Sequence, residues 1–230
     1  MVHDGRMLAD SGYDLMTWTP GAVVFDCDGL LVDTEPCWTV AETEIFARRG
    51  FGFGPEQKAL VIGKSVPAAA ELMAEVFNEP GTAQQIADEL LLLVAEVVGR
   101  SAQPMPGALE LVRATAERVP IAVASNSPRG LLDAALRRAG LTDAFAISIA
   151  ADEVPAAKPA PDMYLAACAA LNTPPEKCLA FEDSLTGLRS AVAAGLRTVG
   201  VPTLQHDEFP ADVVFPSLAD DRLLDWVGRW

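Results

Sequence analysis

AVVFDCDGLLVDTE, residues 22–35, runs from four apolar positions into two aspartates one residue apart. The run GAVVF, 21–25, is short, apolar and rich in β-branched residues, and Gly29 follows it as a turn. That pattern reads as a buried strand. Such a strand delivers Asp26 and Asp28 to its C-terminal end. Ligands of open α/β sheets bind beyond the C-terminal ends of the strands. One stretch therefore sets two expectations: a parallel sheet, and an acidic site at its edge.

Working outward, Trp38, Ala41, Ile45 and Phe46 fall at helical spacing and predict a helix over 33–48, closed by Gly50. Further helical stretches follow at 55–61, 67–77 and 82–99. The character changes after SAQPMPG, 101–107. From there the reading is helix 107–118, strand IAVAS 121–125, helix 128–139, a short apolar run 145–149, helix 161–171, strand CLAFE 178–182 and helix 185–194. RTVGV, 197–201, and DVVFP, 212–216, read as further strands. Alternation of strand and helix is the mark of a parallel α/β sheet. The expected fold is an α/β core domain from 20–32 and 102–230, with a helical domain inserted at 33–101. Residues 1–19 read as a loose leader without an apolar signal core.

Half of the 230 residues are hydrophobic, enough for a substantial core. Seventeen basic residues against 32 acidic ones leave a formal charge of −15. That disfavours a basic nucleic-acid footprint and a basic membrane-surface helix. ELLLLVAEVVG, from Glu89, is too short to span a bilayer and reads as a core helix. Cys27, Cys37, Cys168 and Cys178 form no CxxC pair. Reduced thiols in a cytoplasmic protein are the plain reading. Oligomeric state is not legible.

The strand ends share a chemistry. The first delivers Asp26 and Asp28, the second Ser125 and Asn126, and CLAFE delivers Glu182 and Asp183. Lys158 lies in a loop bounded by Pro155 and Pro159. Converging carboxylates repel one another, and a bound divalent cation resolves the repulsion. An oxygen-only ligand set suits Mg2+ rather than zinc. Magnesium beside a serine, backbone amides and a lysine is a phosphate environment. His3 and His206 lie outside these segments, so carboxylates must take the nucleophile and base roles.

On these residues the chain resembles the haloacid dehalogenase superfamily, in the branch of small sugar-phosphate phosphatases and β-phosphoglucomutase-like proteins. The motifs are DCDGLLVD (26–33), SNS (125–127), Lys158 in AKPAPDMY, and EDS (182–184), in order and in strand context. The resemblance implies a Rossmann-like core with an α-helical cap inserted after the first motif. It implies Asp26 as nucleophile and Asp28 as general acid and base. It places Ser125 and the amides near Asn126 on the phosphoryl group, and Lys158 against phosphate and Asp26. Asp183 and Asp26 are the implied magnesium ligands, with Glu182 a ligand or an acceptor that orients water, and Asp28 contributing its backbone carbonyl. Gly29 permits the turn toward the cap. Gly63, Lys64 and Ser65 form a cap loop of the kind that reaches the leaving group.

Each residue also has a plain structural reading. Asp26 and Asp28 can cap a strand-end turn, and Ser125 or Ser184 can cap a helix. Lys158 and Lys64 can be solvated charges, and Trp38 can be packing.

The expected activity is magnesium-dependent hydrolysis of a small phosphate ester, through an aspartyl phosphate. The mutase alternative needs a grip on a second phosphate. Its pattern has an arginine where this chain has Val66 and a histidine where it has Trp38. A dehalogenase lacks an aspartate at the position of Asp28, and Lys64 sits in a different pattern from that of a phosphonate-cleaving lysine. The remaining alternative is a non-catalytic phosphometabolite-binding protein.

Overall fold

The apolar run of the first motif forms β1 (Ala22–Phe25), every residue of it buried. The structure, a computed structural model, describes residues 15–62, 64–203 and 208–230. After β1 come β2 (Val32–Asp33), α1 (Glu35–Arg48), α2 (Pro55–Val61), α3 (Val66–Phe77), α4 (Ala83–Ser101) and β3 (Gln103–Pro104). Alternation then begins: α5 (Ala108–Ala116), β4 (Ile121–Ser125), α6 (Arg129–Arg138), β5 (Ser148–Ala150), α7 (Asp162–Ala170) and β6 (Cys178–Glu182). The chain continues with α8 (Leu185–Ala193), β7 (Arg197–Gly200), β8 (Val213–Val214) and α9 (Asp221–Val227).

The main sheet has the order β5-β4-β1-β6-β7-β8, and all its described pairs are parallel. Parallel sheets are buried on both faces, so their strands read as continuous apolar runs rather than alternating ones. The two faces differ in size. Val23, Phe25, Val123, Leu179 and Phe181 point to one side, where the Phe25 and Phe181 rings stack at 5.0 Å. Ala22, Val24, Ala122, Ala124, Cys178 and Ala180 point to the other, with Met163, Tyr164 and Ala167 of α7 against them. The small residues on this second face let α7 lie close to the strands.

Helices α1–α4 bury Ile45, Phe46, Met73, Phe77, Ile86 and Leu90. The Phe46 ring meets those of Phe53 and Phe77 at 5.0 and 4.7 Å. Each such side chain, fully buried, contributes about 1.5–3 kcal/mol. The ELLLLVAEVVG run lies in α4, with Leu90, Leu93, Val94 and Val98 buried. Among the described residues no helix is long and apolar enough to cross a membrane. Helix α4 packs on α6, and the insert's buried residues are continuous with those of the larger-residue face of the sheet. Where the chain enters and leaves the insert, β2 and β3 pair antiparallel, Val32 opposite Pro104 and Asp33 opposite Gln103.

Three expectations change. The extended run expected at 145–149 begins at Ser148. Phe145 instead follows a 3-10 turn, and its ring packs edge-on to Phe25 at 6.0 Å. Helix α9 was not expected. Asp220 caps it by accepting from the Arg222 amide, and Leu223, Trp226 and Val227 bury one face. Residues 15–19 are not a loose leader. Leu15 is buried, the Arg197 guanidinium lies 4.7 Å from the centre of the Trp18 ring, and Trp226 Nε1 donates to the Trp18 carbonyl. The rest of that leader, residues 1–14, lies outside the described residues.

Candidate active site

In the sheet order, the chain moves from β1 out to β4 and β5, then returns to the other side of β1 with β6. The carboxyl ends of β1, β4 and β6 thus meet at a topological switch point, where such sheets leave a crevice. The Asp26 amide donates to the Phe181 carbonyl at 3.0 Å, which extends the β1–β6 ladder by one residue. The chain then turns back: the Leu31 and Val32 amides both donate to the Cys27 carbonyl. Gly29 takes φ +82, and a Cβ there would lie 2.4 Å from Asp183 Oδ2. A side chain at 29 would therefore collide with the acidic group across the crevice, so the turn needs glycine for room as well as for its torsion.

Lys158 is the buried cation of the site. Its Nζ lies 2.5 Å from Asp26 Oδ1 and 2.6 Å from Glu182 Oε1. The Asn126 side chain clamps the backbone of the same residue, accepting from the Lys158 amide at 2.9 Å and donating to its carbonyl at 3.2 Å. Tyr164 donates its hydroxyl to Glu182 Oε1 at 2.5 Å, and its ring lies 4.9 Å from Lys158 Nζ. The Glu182 carboxylate fits against α8 only because position 187 is glycine: a Cβ there would lie 1.9 Å from Oε1. Ser184 caps α8 by accepting from the Gly187 amide. Thr203 Oγ1 donates to Asp183 Oδ2 at 2.8 Å.

Asp28 is held differently. Its Oδ2 accepts from Ser125 Oγ at 2.7 Å and from Ser127 Oγ at 2.9 Å. The Ser125 hydroxyl also accepts from the Ser127 amide, so it is spent within the motif and caps no helix. Asp28 Oδ1 is buried and has no hydrogen-bond partner among the described residues.

Burial pushes the Asp26 carboxyl up. Lys158 pulls it back, while Glu182, Asp183 and Asp28 push it further, and the net direction is upward. Burial and Glu182 push Asp183 up to about 7. Burial alone would lower the Lys158 ammonium, but Asp26 and Glu182 more than offset it and keep it charged. Asp26, Glu182 and Asp183 bring carboxylate oxygens within 4.8 Å of one another. Three carboxylates thus share one ammonium, and an oxygen-only set short of positive charge fits a hard divalent cation. The Asp28 carboxylate stands outside this group.

A cavity of about 670 Å3 opens from Asp28 and Asp183 toward the insert. Gly29, Trp38 and Ile62 are among its walls. Lys64 and Ser65 are exposed and do not line it, and Gly63 lies outside the described residues. Asn126 is exposed, with its side chain engaged on Lys158. The structure thus brings Asp26, Asp28, Ser125, Lys158, Glu182 and Asp183 together. Sequence reasoning missed Ser127, Tyr164, Gly187 and Thr203. The first two stood inside quoted motifs, SNS and AKPAPDMY. Gly187 and Thr203 carry no sequence signal, because only close approach in space gives them meaning.

Fold and site define a class: α/β enzymes built around a carboxylate at the switch point of a parallel sheet. Residues 20–195 match the family model described as haloacid dehalogenase-like hydrolase. The chain is 30% identical over 215 residues to hexitol phosphatase B of Escherichia coli K12, covering 90% of this chain and 96% of that one. Its structure is similar to that of CbbY from Rhodobacter sphaeroides in complex with phosphate, with a TM-score of 0.74 and 30% identity over 88% of this chain and 96% of the other. It is also similar to a putative β-phosphoglucomutase from Thermotoga maritima, with a TM-score of 0.76 and 25% identity over 90% and 98% of the two chains. The chain belongs to the haloacid dehalogenase-like hydrolase family.

Proposed function

We propose that this chain is a magnesium-dependent phosphomonoester hydrolase acting on a small phosphorylated metabolite, a sugar or polyol phosphate, through an aspartyl-phosphate intermediate. The observation that carries the reading is the contrast between two aspartates at one strand end. Asp26 is bound to a buried ammonium, while Asp28 keeps one carboxylate oxygen without a partner among the described residues. A nucleophile must be ionised, and Lys158 favours that state. A general acid needs an oxygen free to carry the proton, and Asp28 Oδ1 is free.

In the first step Asp26 attacks phosphorus, the ester oxygen leaves, and Asp28 gives it a proton. In the second, Asp28 takes a proton from a water that attacks the aspartyl phosphate, the bond from Asp26 to phosphorus breaks, inorganic phosphate is released and the Asp26 carboxylate is regenerated. Ser125 and Ser127 orient Asp28 through its other oxygen. Lys158 offsets charge on the phosphoryl group as well as on Asp26. Asp26 and Asp183 would hold Mg2+, with Glu182 beside them and the Asp28 backbone carbonyl as a further donor. The ion supplies charge neutralisation for the transferring phosphoryl group. Helices α1–α4, over 33–101, serve as a cap domain on the α/β core. A cytoplasmic location accords with the four buried free cysteines.

The mutase alternative draws on the likeness to a putative β-phosphoglucomutase. Against it stands Trp38, an indole at the cavity wall where a second phosphate needs a cation. The test is release of inorganic phosphate across a panel of metabolite phosphates, with glucose 6-phosphate followed when the substrate is β-glucose 1-phosphate. Conversion to glucose 6-phosphate outrunning phosphate release overturns hydrolysis in favour of the mutase. No magnesium-dependent turnover on any ester favours the binding protein.

A further inference from the structure

We infer that the cavity beside the reacting centre selects esters by the charge of the leaving group. It takes a leaving group rich in hydrogen-bond donors, neutral or carrying an ammonium, and rejects one with a second anionic group. This rests on the hydrolase reading above. Among the described residues that line the cavity there is no lysine or arginine. Beyond Asp28 and Asp183, its ionisable walls are Asp33 and Glu35, and Trp38 supplies an aromatic face beside Ile62 and Met105. Asp33 is half-buried, and its carboxylate has no hydrogen-bond or ion-pair partner among the described residues.

The cation paired with the wall residue Glu35 is already engaged, and Lys64 is exposed and does not line the cavity. Lys58 Nζ lies 2.7 Å from Glu35 Oε1 and 2.8 Å from Glu42 Oε2, and Glu42 is buried. Recruiting Lys58 to a substrate anion would strip Glu42 of its partner. A phosphate or carboxylate on the leaving group would therefore lose hydration against carboxylates, with no cation among the described lining residues to replace the water. A hydroxyl or ammonium meets the opposite situation: Asp33 accepts a hydrogen bond from it, and the Trp38 ring takes a sugar face or a cation.

The test uses the full chain with magnesium and esters matched in skeleton. These are glucosamine 6-phosphate, glucose 6-phosphate and 6-phosphogluconate, and likewise glycerol 3-phosphate against 3-phosphoglycerate. The expected kcat/KM for phosphate release is lower for the anionic member of each set by about tenfold or more, a gap that narrows in high salt. Asp33→Asn should shrink the gap several-fold. An anionic ester hydrolysed as well as its neutral counterpart overturns the inference, as does an unchanged gap in Asp33→Asn. If no ester releases phosphate, the hydrolase reading has failed, and thermal protection by the same compounds then decides the inference. Neutral and ammonium esters protecting better than anionic ones supports it. Equal or reversed protection, or none, overturns it.

Discussion

Replacing Lys158 with methionine tests the electrostatic account of the site. The side chain keeps its length and loses its charge. Asp26, Glu182 and Asp183 then face one another with no cation, and the bonds of 2.5 and 2.6 Å to Asp26 and Glu182 are gone. Breaking a buried ion pair by removing one partner costs about 3–5 kcal/mol. The loss should depend on pH. Burial already holds the Asp183 carboxyl at about 7 and Asp26 above its ordinary range. Over pH ~4 to ~7 the folded state therefore binds more protons than the unfolded one, so stability falls as pH rises through that window. Without Lys158, which lowers Asp26, the fall should be steeper. Urea unfolding in chelator at pH 8 should show a deficit of about 3–5 kcal/mol for the variant, and a smaller one at pH 5.5, where protons replace the missing cation. Phosphate release should be lost at both. A variant as stable as the parent at pH 8, or one hurt more at pH 5.5, refutes the reasoning.

The two aspartates separate by trapping: acid quench of a labelled ester should leave no label on Asp26→Asn, whereas Asp28→Asn should still form the aspartyl phosphate, slowly. Magnesium competes with the proton on Asp183, so the rise in Tm on adding it should be larger at pH 8 than at pH 5.5, and calcium should restore activity poorly after chelation. Gly187→Ala drives a methyl into the Glu182 carboxylate and should cost about 2–4 kcal/mol in thermal or urea unfolding, although Gly187 touches no substrate.

Much of this was legible in the chain. Strands such as CLAFE and IAVAS are buried on both faces, so composition alone marks them, and the helix expected over 33–48 ends before Gly50. Site residues were legible wherever a strand end presented them. What escaped depends on distances between segments remote in sequence. Tyr164 is eighteen residues from Glu182 in the chain and 2.5 Å from it in space. Trp38 reads as packing in the sequence, because a helical stripe does not reveal that its neighbour is a cavity. Helix α9 could have been read from the spacing of Leu223, Trp226 and Val227 after a capping Asp220.

The ribbon of β2 and β3 ties the two ends of the helical insert side by side. To the sheet, some seventy residues look like one long hairpin loop standing on a two-rung stem. Entropy of loop closure grows only slowly with length, by about 0.6 kcal/mol for each doubling. Closure entropy alone therefore lets the insert lengthen or shrink at little cost to the strand order beneath it, provided that α4 keeps its packing on α6. A graft that keeps Val32 opposite Pro104 and an apolar face on α6 should leave Asp26 and Asp28 where they are. The chain thus crosses between sheet and insert only at this ribbon, while the packing between them is spread over α4 and α6.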